Sequence, residues 1–493
     1  MEQTKAVIVK KSHGDVLDIV LFYLLGLLAS VFTLGGFEAS SSPINNINGF
    51  IFLNTFIYYS PQSASSLFFF IPSVLLYVGI LFWFIYLRYQ KTGKLPSKYL
   101  FSIFSLIVVV RFISAVSFPY GEQTFTFLFP DTNSSVDVTY SGYSLSDRII
   151  GFTNEILFYS FFLVAIDYYK TFSDKMKTAL KITQYIVILA GLGLIVAAWI
   201  ISAKDLIGNL KYYLGDSSAK LAEGISSLTS HRNVFGFMLM MSTISCFALM
   251  MNKKNPWLIV IMAIDIIHCF LIYSRTPFIL SSLVFVMLHV WLLFKKQKKS
   301  YRIYSVVLLS TVVLLGIVFL IIMRDKLASV LSHLGSDTTI NTRELFWTHA
   351  LSMLNNPYYY IFGYGRVPFF STFSNYQLAT KSEAFWSAHN GYLDVLLEFG
   401  IIGLLFLVAL LSFFIYRIVV LFKQDGTKAF PYLVILTTIS IYSIFEPRML
   451  GLMEGSNIIF FVIFCLPLLG EEKTYKPSSK RFETLTAKIS IVE

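Results

Sequence analysis

Four short motifs in this sequence carry side chains suited to chemistry. Arg232 stands in Ser-His-Arg-Asn-Val-Phe-Gly, Arg275 in Tyr-Ser-Arg-Thr-Pro, and Arg343 in Thr-Arg-Glu-Leu-Phe-Trp. His389 stands in Ser-Ala-His-Asn-Gly-Tyr-Leu-Asp, followed directly by Asn390 and, further along, by Glu398. A guanidinium is a permanently charged, planar fork that grips phosphate oxygens in bidentate fashion. An imidazole changes charge nearer neutral pH than any other side chain, so it can take a proton from a hydroxyl or donate a hydrogen bond to a phosphate. Together these groups suit a phosphorylated anion beside a hydroxyl that must be activated or oriented. The plainer alternative for any one arginine is snorkelling, or pairing with a nearby acid.

The scaffold that must position them is apolar. Of 493 residues, 56% are hydrophobic and 17% aromatic, with Phe the most abundant aromatic. The mean hydropathy is +0.69. A soluble particle of this size could not be covered with so little polar surface, and the apolar residues come in uninterrupted runs. Runs of about 18 residues or more read as membrane spans. We expect spans at 19–37, 67–87, 99–118, 149–165, 182–202 and 234–251, then at 257–273, 277–294, 303–323, 400–420, 431–445 and 449–469. The first is too long for the apolar core of a cleavable leader and reads as an uncleaved span. The fold class expected is therefore all-α integral membrane, with about twelve transmembrane helices and a long structured outer loop. Cys246, Cys269 and Cys465 lie inside apolar runs without Cys-x-x-Cys spacing, which indicates neither a disulfide framework nor a metal site.

Lysines orient the spans. With the amino terminus inside, Lys91, Lys94 and Lys98 share one inner loop, and Lys170, Lys175, Lys177 and Lys181 the next. Lys253 with Lys254, the cluster Lys295 to Lys299, and the tail lysines Lys473, Lys476 and Lys480 also fall inside. This is the positive-inside pattern, and it puts both termini in the cytoplasm. The net charge of +11 is thus mainly topogenic, with anionic membrane lipid as its partner. No basic domain outside the membrane remains to hold a nucleic acid. The cations left on the outer side are mostly arginine, whereas the inner ones are mostly lysine. Topology alone does not ask for arginine there, so the asymmetry points to an anionic ligand at the outer interface.

The spans divide the chain into transmembrane helices with short loops at 1–323, a long outer loop with amphipathic helices at 324–390, final transmembrane helices at 391–470, and a polar cytoplasmic tail at 471–493. In the long loop, Asn341 and Glu344 have the spacing of a capping box that opens a helix through Leu345, Phe346, Trp347, Ala350 and Met353. A second long outer segment covers 203–233. Structured loops longer than about 12–15 residues are usually functional.

The run from Ser387 to Gly403, with His389, Asn390, Glu398 and Gly400, resembles the signature of the O-antigen ligase and polymerase family of bacterial membrane glycosyltransferases. His389 and Gly400 reproduce its His-x10-Gly spacing. Arg343 resembles the family's Arg-x3-Leu element, although Trp347 stands where leucine is expected. The motifs around Arg232 and Arg275 resemble two further family arginines, so the likeness runs over about 230–410. Arg324 and Gly335 also form an Arg-x10-Gly pair, a pattern weak enough to arise by chance.

The resemblance implies the family's C-type membrane glycosyltransferase fold and a metal-independent, cofactor-free transfer of a glycan from an undecaprenyl diphosphate carrier to an acceptor hydroxyl. It places that reaction on the outer face of the cytoplasmic membrane. By this likeness His389 and Arg343 are the catalytic candidates, while Arg232, Arg275, Asn390 and Glu398 are the substrate-binding ones. Departure of a diphosphate leaves negative charge that arginines can stabilise. His389 acts as base or as a hydrogen-bond donor to phosphate, and Glu398 orients His389 or forms a structural salt bridge. A polymerase would extend capsule, exopolysaccharide or O-antigen, alongside a flippase and a chain-length regulator. A ligase would transfer the glycan to a lipid or protein acceptor. A transporter would explain the spans but not the outer arginines.

Away from these motifs, Asp265 and His268 are close to one helical turn apart and should share a face near mid-membrane, as a structural polar cluster. Arg111, Asn154 and Glu155 are expected to form another. Glu446 and Arg448 straddle an outer turn as a local pair.

Overall fold

A computed structural model describes residues 173–214, 232–252, 255–294, 338–363 and 388–446, one pair of strands, and scattered positions at 82–113, 167, 219–228, 303–310 and 468. Helices α1 (Ser173–Tyr213), α2 (Arg232–Asn252), α3 (Pro256–Leu271) and α4 (Arg275–Phe294) come first. They are followed by α5 (Thr338–Ser352), the short α6 (Pro357–Phe362), α7 (Gly391–Gln424) and α8 (Gly426–Phe445).

Among the described residues, five segments are long and apolar enough to cross a membrane: Lys181–Tyr213, Arg232–Met251, Arg275–Leu293, Phe399–Gln424 and Gly426–Phe445. The apolar helix Pro256–Leu271 is shorter. The chain is thus a multi-pass membrane protein, and these helices fall on the spans expected at 182–202, 234–251, 257–273, 277–294, 400–420 and 431–445. The other expected spans, together with Arg111, Asn154 and Glu155, lie wholly or mostly outside the described residues.

Hydropathy also marks where two helices break. A straight helix of 33 residues would be about 50 Å long, against a hydrocarbon core of about 30 Å. The backbone of α1 leaves helical geometry at Ser202 (φ −127°, ψ 29°), the residue where the apolar run ends. In α7 it does so at Gly400 (φ 67°, ψ −167°), the residue where the apolar run begins.

Helix α2 is the centre of the bundle. Every residue from Val234 to Met250 is buried, as expected of a helix that is apolar on all sides. Around it pack α1, α3, α4 and α8, with α7 against α8. Trp291 donates from its indole to the Thr427 carbonyl at 2.7 Å, tying the end of α4 to the start of α8. At the opposite end of the bundle lie the start of α2, the α3–α4 turn, the start of α7 and the end of α8.

Beside the expected helices, the described residues include one hairpin. β1 (Gln123–Phe129) and β2 (Ser134–Tyr140) form an antiparallel hairpin, with Gln123 opposite Tyr140 and Phe129 opposite Ser134. Alternating Thr and Phe in the first strand, β-branched residues in the second and Pro-Asp-Thr-Asn between them favour it. Thr126 donates to Asp137 across the pair at 2.7 Å. Span counting does not register a hairpin in a polar loop.

Candidate functional site

Arg232 and Arg275 are brought together by a close approach of backbone. A Cβ on Gly236 would sit 2.2 Å from Ser274 Oγ and 3.1 Å from Pro277 Cγ, so α2 meets the α3–α4 turn where only glycine fits. That turn closes with hydrogen bonds of 3.0 Å from Ser274 N to the Cys269 carbonyl and from Tyr273 N to the Phe270 carbonyl. This is the Schellman pattern, whose left-handed position is usually glycine. Here Tyr273 occupies it, with φ 58°. An L-residue in that conformation costs on the order of 1–2 kcal/mol, so a ring at this place offsets strain with contacts elsewhere. Those contacts are visible. The Arg275 guanidinium lies 4.6 Å from the Tyr273 ring centre and donates to its hydroxyl. The Arg232 guanidinium lies 5.5 Å from the same ring.

The last turns of α1, beyond the kink at Ser202, brace this pair. Fully buried Asn209 donates to the carbonyls of Leu271 at 2.8 Å and Ala222 at 2.9 Å, and accepts from Ala222 N at 2.6 Å. The Tyr213 ring packs 4.1 Å from Phe270, within electrostatic reach of Tyr273, Arg275 and Arg232.

His389 is positioned from three sides. The preceding residue, Ala388, donates its amide to Asp394 Oδ1 at 2.9 Å, and its carbonyl accepts from Trp347 Nε1 at 3.0 Å. The following residue, Asn390, caps α7 by accepting from Tyr392 N at 3.0 Å and Leu393 N at 3.2 Å. His389 itself is left-handed, with φ 48°. Its ring stacks on Phe346, centroids 5.9 Å apart and planes 23° apart. Trp347, the departure from the family's leucine, therefore holds the backbone beside His389. Helix α5 begins at Thr338, so Asn341 lies inside it rather than capping it as its spacing with Glu344 suggested.

Gly400 sets where this segment ends. A Cβ there would lie 2.2 Å from the Ile361 carbonyl oxygen and 2.6 Å from Phe362 N, so α7 is pressed against the backbone of α6. The kink separates the first turns of α7, led by His389, from the span that starts at Phe399. Tyr392 anchors these first turns by donating to the Ser440 carbonyl on α8 at 3.2 Å. Burial raises the pKa of this phenol, which keeps it a donor.

Glu446, the residue after α8, gathers the rest. Its side chain is 6% exposed; Oε1 accepts from Asn233 Nδ2 at 2.8 Å and lies 3.6 Å from Arg343 Nη2. Oε2 lies 4.0 Å from His389 Nδ1. Arg448, the partner expected for Glu446, lies outside the described residues; among those described, Glu446 meets Arg343, His389 and Asn233. Of the six residues singled out from sequence, Arg343 and His389 meet at Glu446, while Arg232 and Arg275 meet at Tyr273. Asn390 spends its side-chain oxygen on the helix cap. Glu398 lies on α7 between the cap and the kink.

Sequence reasoning missed Glu446, Asn233 and Tyr273 as members of the site. The available signals were a carboxylate at a span end, and an aromatic beside Arg275 that its turn would not choose. Asp265 and His268 do not form one cluster. Asp265, fully buried, accepts from Thr243 at 3.4 Å, whereas His268 accepts from the Trp199 indole at 2.9 Å. Among the described residues no group of His, Cys, Asp and Glu has a metal-binding arrangement.

The chain matches no curated protein. Residues 257–408 match the O-antigen ligase family, a segment that contains Arg275, Arg343, His389, Asn390, Glu398 and Gly400. Arg232, Asn233 and Glu446 lie outside it yet are built into the same end of the bundle. Over residues 257–408, about a third of the chain, this membrane protein is thus similar to the O-antigen ligase family.

Proposed function

We propose that this protein is a polysaccharide polymerase. It joins undecaprenyl diphosphate-linked oligosaccharide repeat units on the outer face of the cytoplasmic membrane, with both termini inside and without a metal ion. The observation that supports this best is the meeting of Arg343 and His389 at Glu446, one residue along from Arg232 through Asn233. Arg232, Arg275 and Arg343 hold the donor diphosphate and stabilise the charge it gains as the anomeric carbon–oxygen bond breaks. His389 serves the acceptor hydroxyl. Helix α5 carries Arg343 to the site, and His389 leads into the kinked α7. Transfer to a lipid or protein acceptor would use the same donor chemistry.

Reconstitution in liposomes, with a lipid diphosphate-linked oligosaccharide of the native pathway as sole glycan, tests this. A ladder of longer lipid-linked products is expected, and it disappears in Arg343→Ala. Transfer only after a second acceptor is supplied would make the protein a ligase. No transfer to any acceptor by correctly inserted protein would point to a transporter.

A further inference from the structure

At the end of the bundle far from Arg343, a groove runs between α7 and α8. Its floor is Ile418, 4% exposed, and its walls are Ile415, Val419 and Phe422 on α7 with Leu433 on α8, all four exposed on the surface of the bundle. Ile415, Ile418, Val419 and Phe422 follow one face of the helix, so the groove lies along α7. The Phe422 ring closes one end. It packs over Gly426, where a Cβ would stand 3.4 Å from its edge, across the turn that joins the two helices. The groove holds about 270 Å³, just below the range of about 300–1,000 Å³ usual for ligand pockets. That suits a stretch of one hydrocarbon chain rather than a glycan.

One charged group lines the groove. Lys423 is exposed, stands one residue before the end of the span Phe399–Gln424, and meets no acid among the described residues. Asp425, the acid nearest in sequence, is committed to capping α8. Its Oδ1 accepts from Thr427 N at 3.0 Å, Thr427 Oγ1 at 2.7 Å and Lys428 N at 3.3 Å. At 1.5 Å per residue, Lys423 lies about 35 Å along α7 from the kink at Gly400, and Ile415 lies about 12 Å deeper in the span than Lys423. The groove is thus apolar where hydrocarbon would lie and cationic where headgroups begin. From this match we propose that the groove binds an anionic phospholipid, with one acyl chain along Ile415, Ile418 and Val419 and the headgroup phosphate on Lys423. A zwitterionic head brings its own cation beside the phosphate, so the unpaired ammonium favours a head of net negative charge. A lipid so held braces α7 against α8. The site is separate from the arginines and does not depend on what they bind.

Native mass spectrometry of the full-length protein tests the proposal, after delipidation in detergent and titration with phosphatidylglycerol or with phosphatidylcholine of the same chains. Wild type should bind phosphatidylglycerol about five-fold more tightly than phosphatidylcholine, the scale of one lysine beside an anionic lipid. Lys423→Gln should abolish that preference. Lys211→Gln, an exposed change at the other end of the bundle, should keep it. Val419→Trp, which fills the groove, should weaken binding of both lipids. Equal affinity of wild type for the two lipids, or a preference that survives Lys423→Gln, would overturn the proposal. Lipid binding untouched by Val419→Trp would do the same, and if that change also breaks a dimer, the groove belongs to a second copy of this chain.

Discussion

Asn233 on α2 donates its side-chain amide to Glu446, the residue that ends α8, at 2.8 Å. This one hydrogen bond joins the two halves of the site. On one side, Arg232 reaches the Tyr273 ring that also carries Arg275. On the other, Glu446 meets Arg343 and His389. Three arginines with a histidine beside them, at one end of a membrane bundle, suit the lipid diphosphate proposed above better than a soluble anion. The lipid tail can stay in the bilayer while its head is gripped.

Arg343→Lys keeps the charge but loses the fork. Loss of one preorganised donor to a developing anion costs about 100–1,000-fold in kcat. We expect polymer formation to fall by that order while membrane insertion is unchanged. Polymer at near wild-type levels would remove Arg343 from the diphosphate site.

Tyr273 sits where the Schellman turn favours glycine. Tyr273→Gly should relieve the backbone and melt no lower than wild type in detergent, yet the ring between two guanidiniums is gone. Donor KM should rise by about tenfold or more, the scale of one cation–π contact with each arginine. Tyr273→Phe keeps the ring and should lose less.

Gly400→Ala places a Cβ against the Ile361 carbonyl at a positive φ. Backbone on both sides leaves no flexible side chain to yield. The change should destabilise the protein by about 1–3 kcal/mol or more, read as a lower melting midpoint, and should reduce transfer by tilting the segment that carries His389.

Trp347→Leu installs the residue that the family's Arg-x3-Leu pattern would have. It removes the indole hydrogen bond to Ala388, worth about 1 kcal/mol, and loosens the backbone before His389. Turnover should drop while donor KM holds. Unchanged turnover would show that Phe346 and Asp394 suffice to place the ring.

Much of this architecture was legible in the sequence, and the exceptions share a cause. Apolar runs found the helices, and their ends marked the breaks at Ser202 and Gly400, because hydropathy reports where lipid stops. Arginine in place of lysine on the side expected to be outer marked Arg232, Arg275 and Arg343. For Glu446 a linear reading can propose only a local partner such as Arg448, which lies outside the described residues. Asn233, Arg343 and His389 are brought to Glu446 by the packing of α8 against α2 and α7. The role of Trp347 was hidden for the same reason, since Ala388 lies beyond a long stretch of intervening chain. The hairpin at Gln123–Tyr140 was overlooked because its strands were read only as a gap between spans.

The central claim is that both arginine groups hold one diphosphate, and photo-crosslinking tests it most directly. A donor with a photoreactive group on the isoprene unit next to the diphosphate is bound to the reconstituted protein, irradiated, and the adducts are mapped by mass spectrometry. Adducts at both the Arg232–Tyr273 side and the Arg343–His389 side, competed away by unlabelled donor, are the predicted result. Adducts confined to one side, or elsewhere in the bundle, would contradict a single shared site.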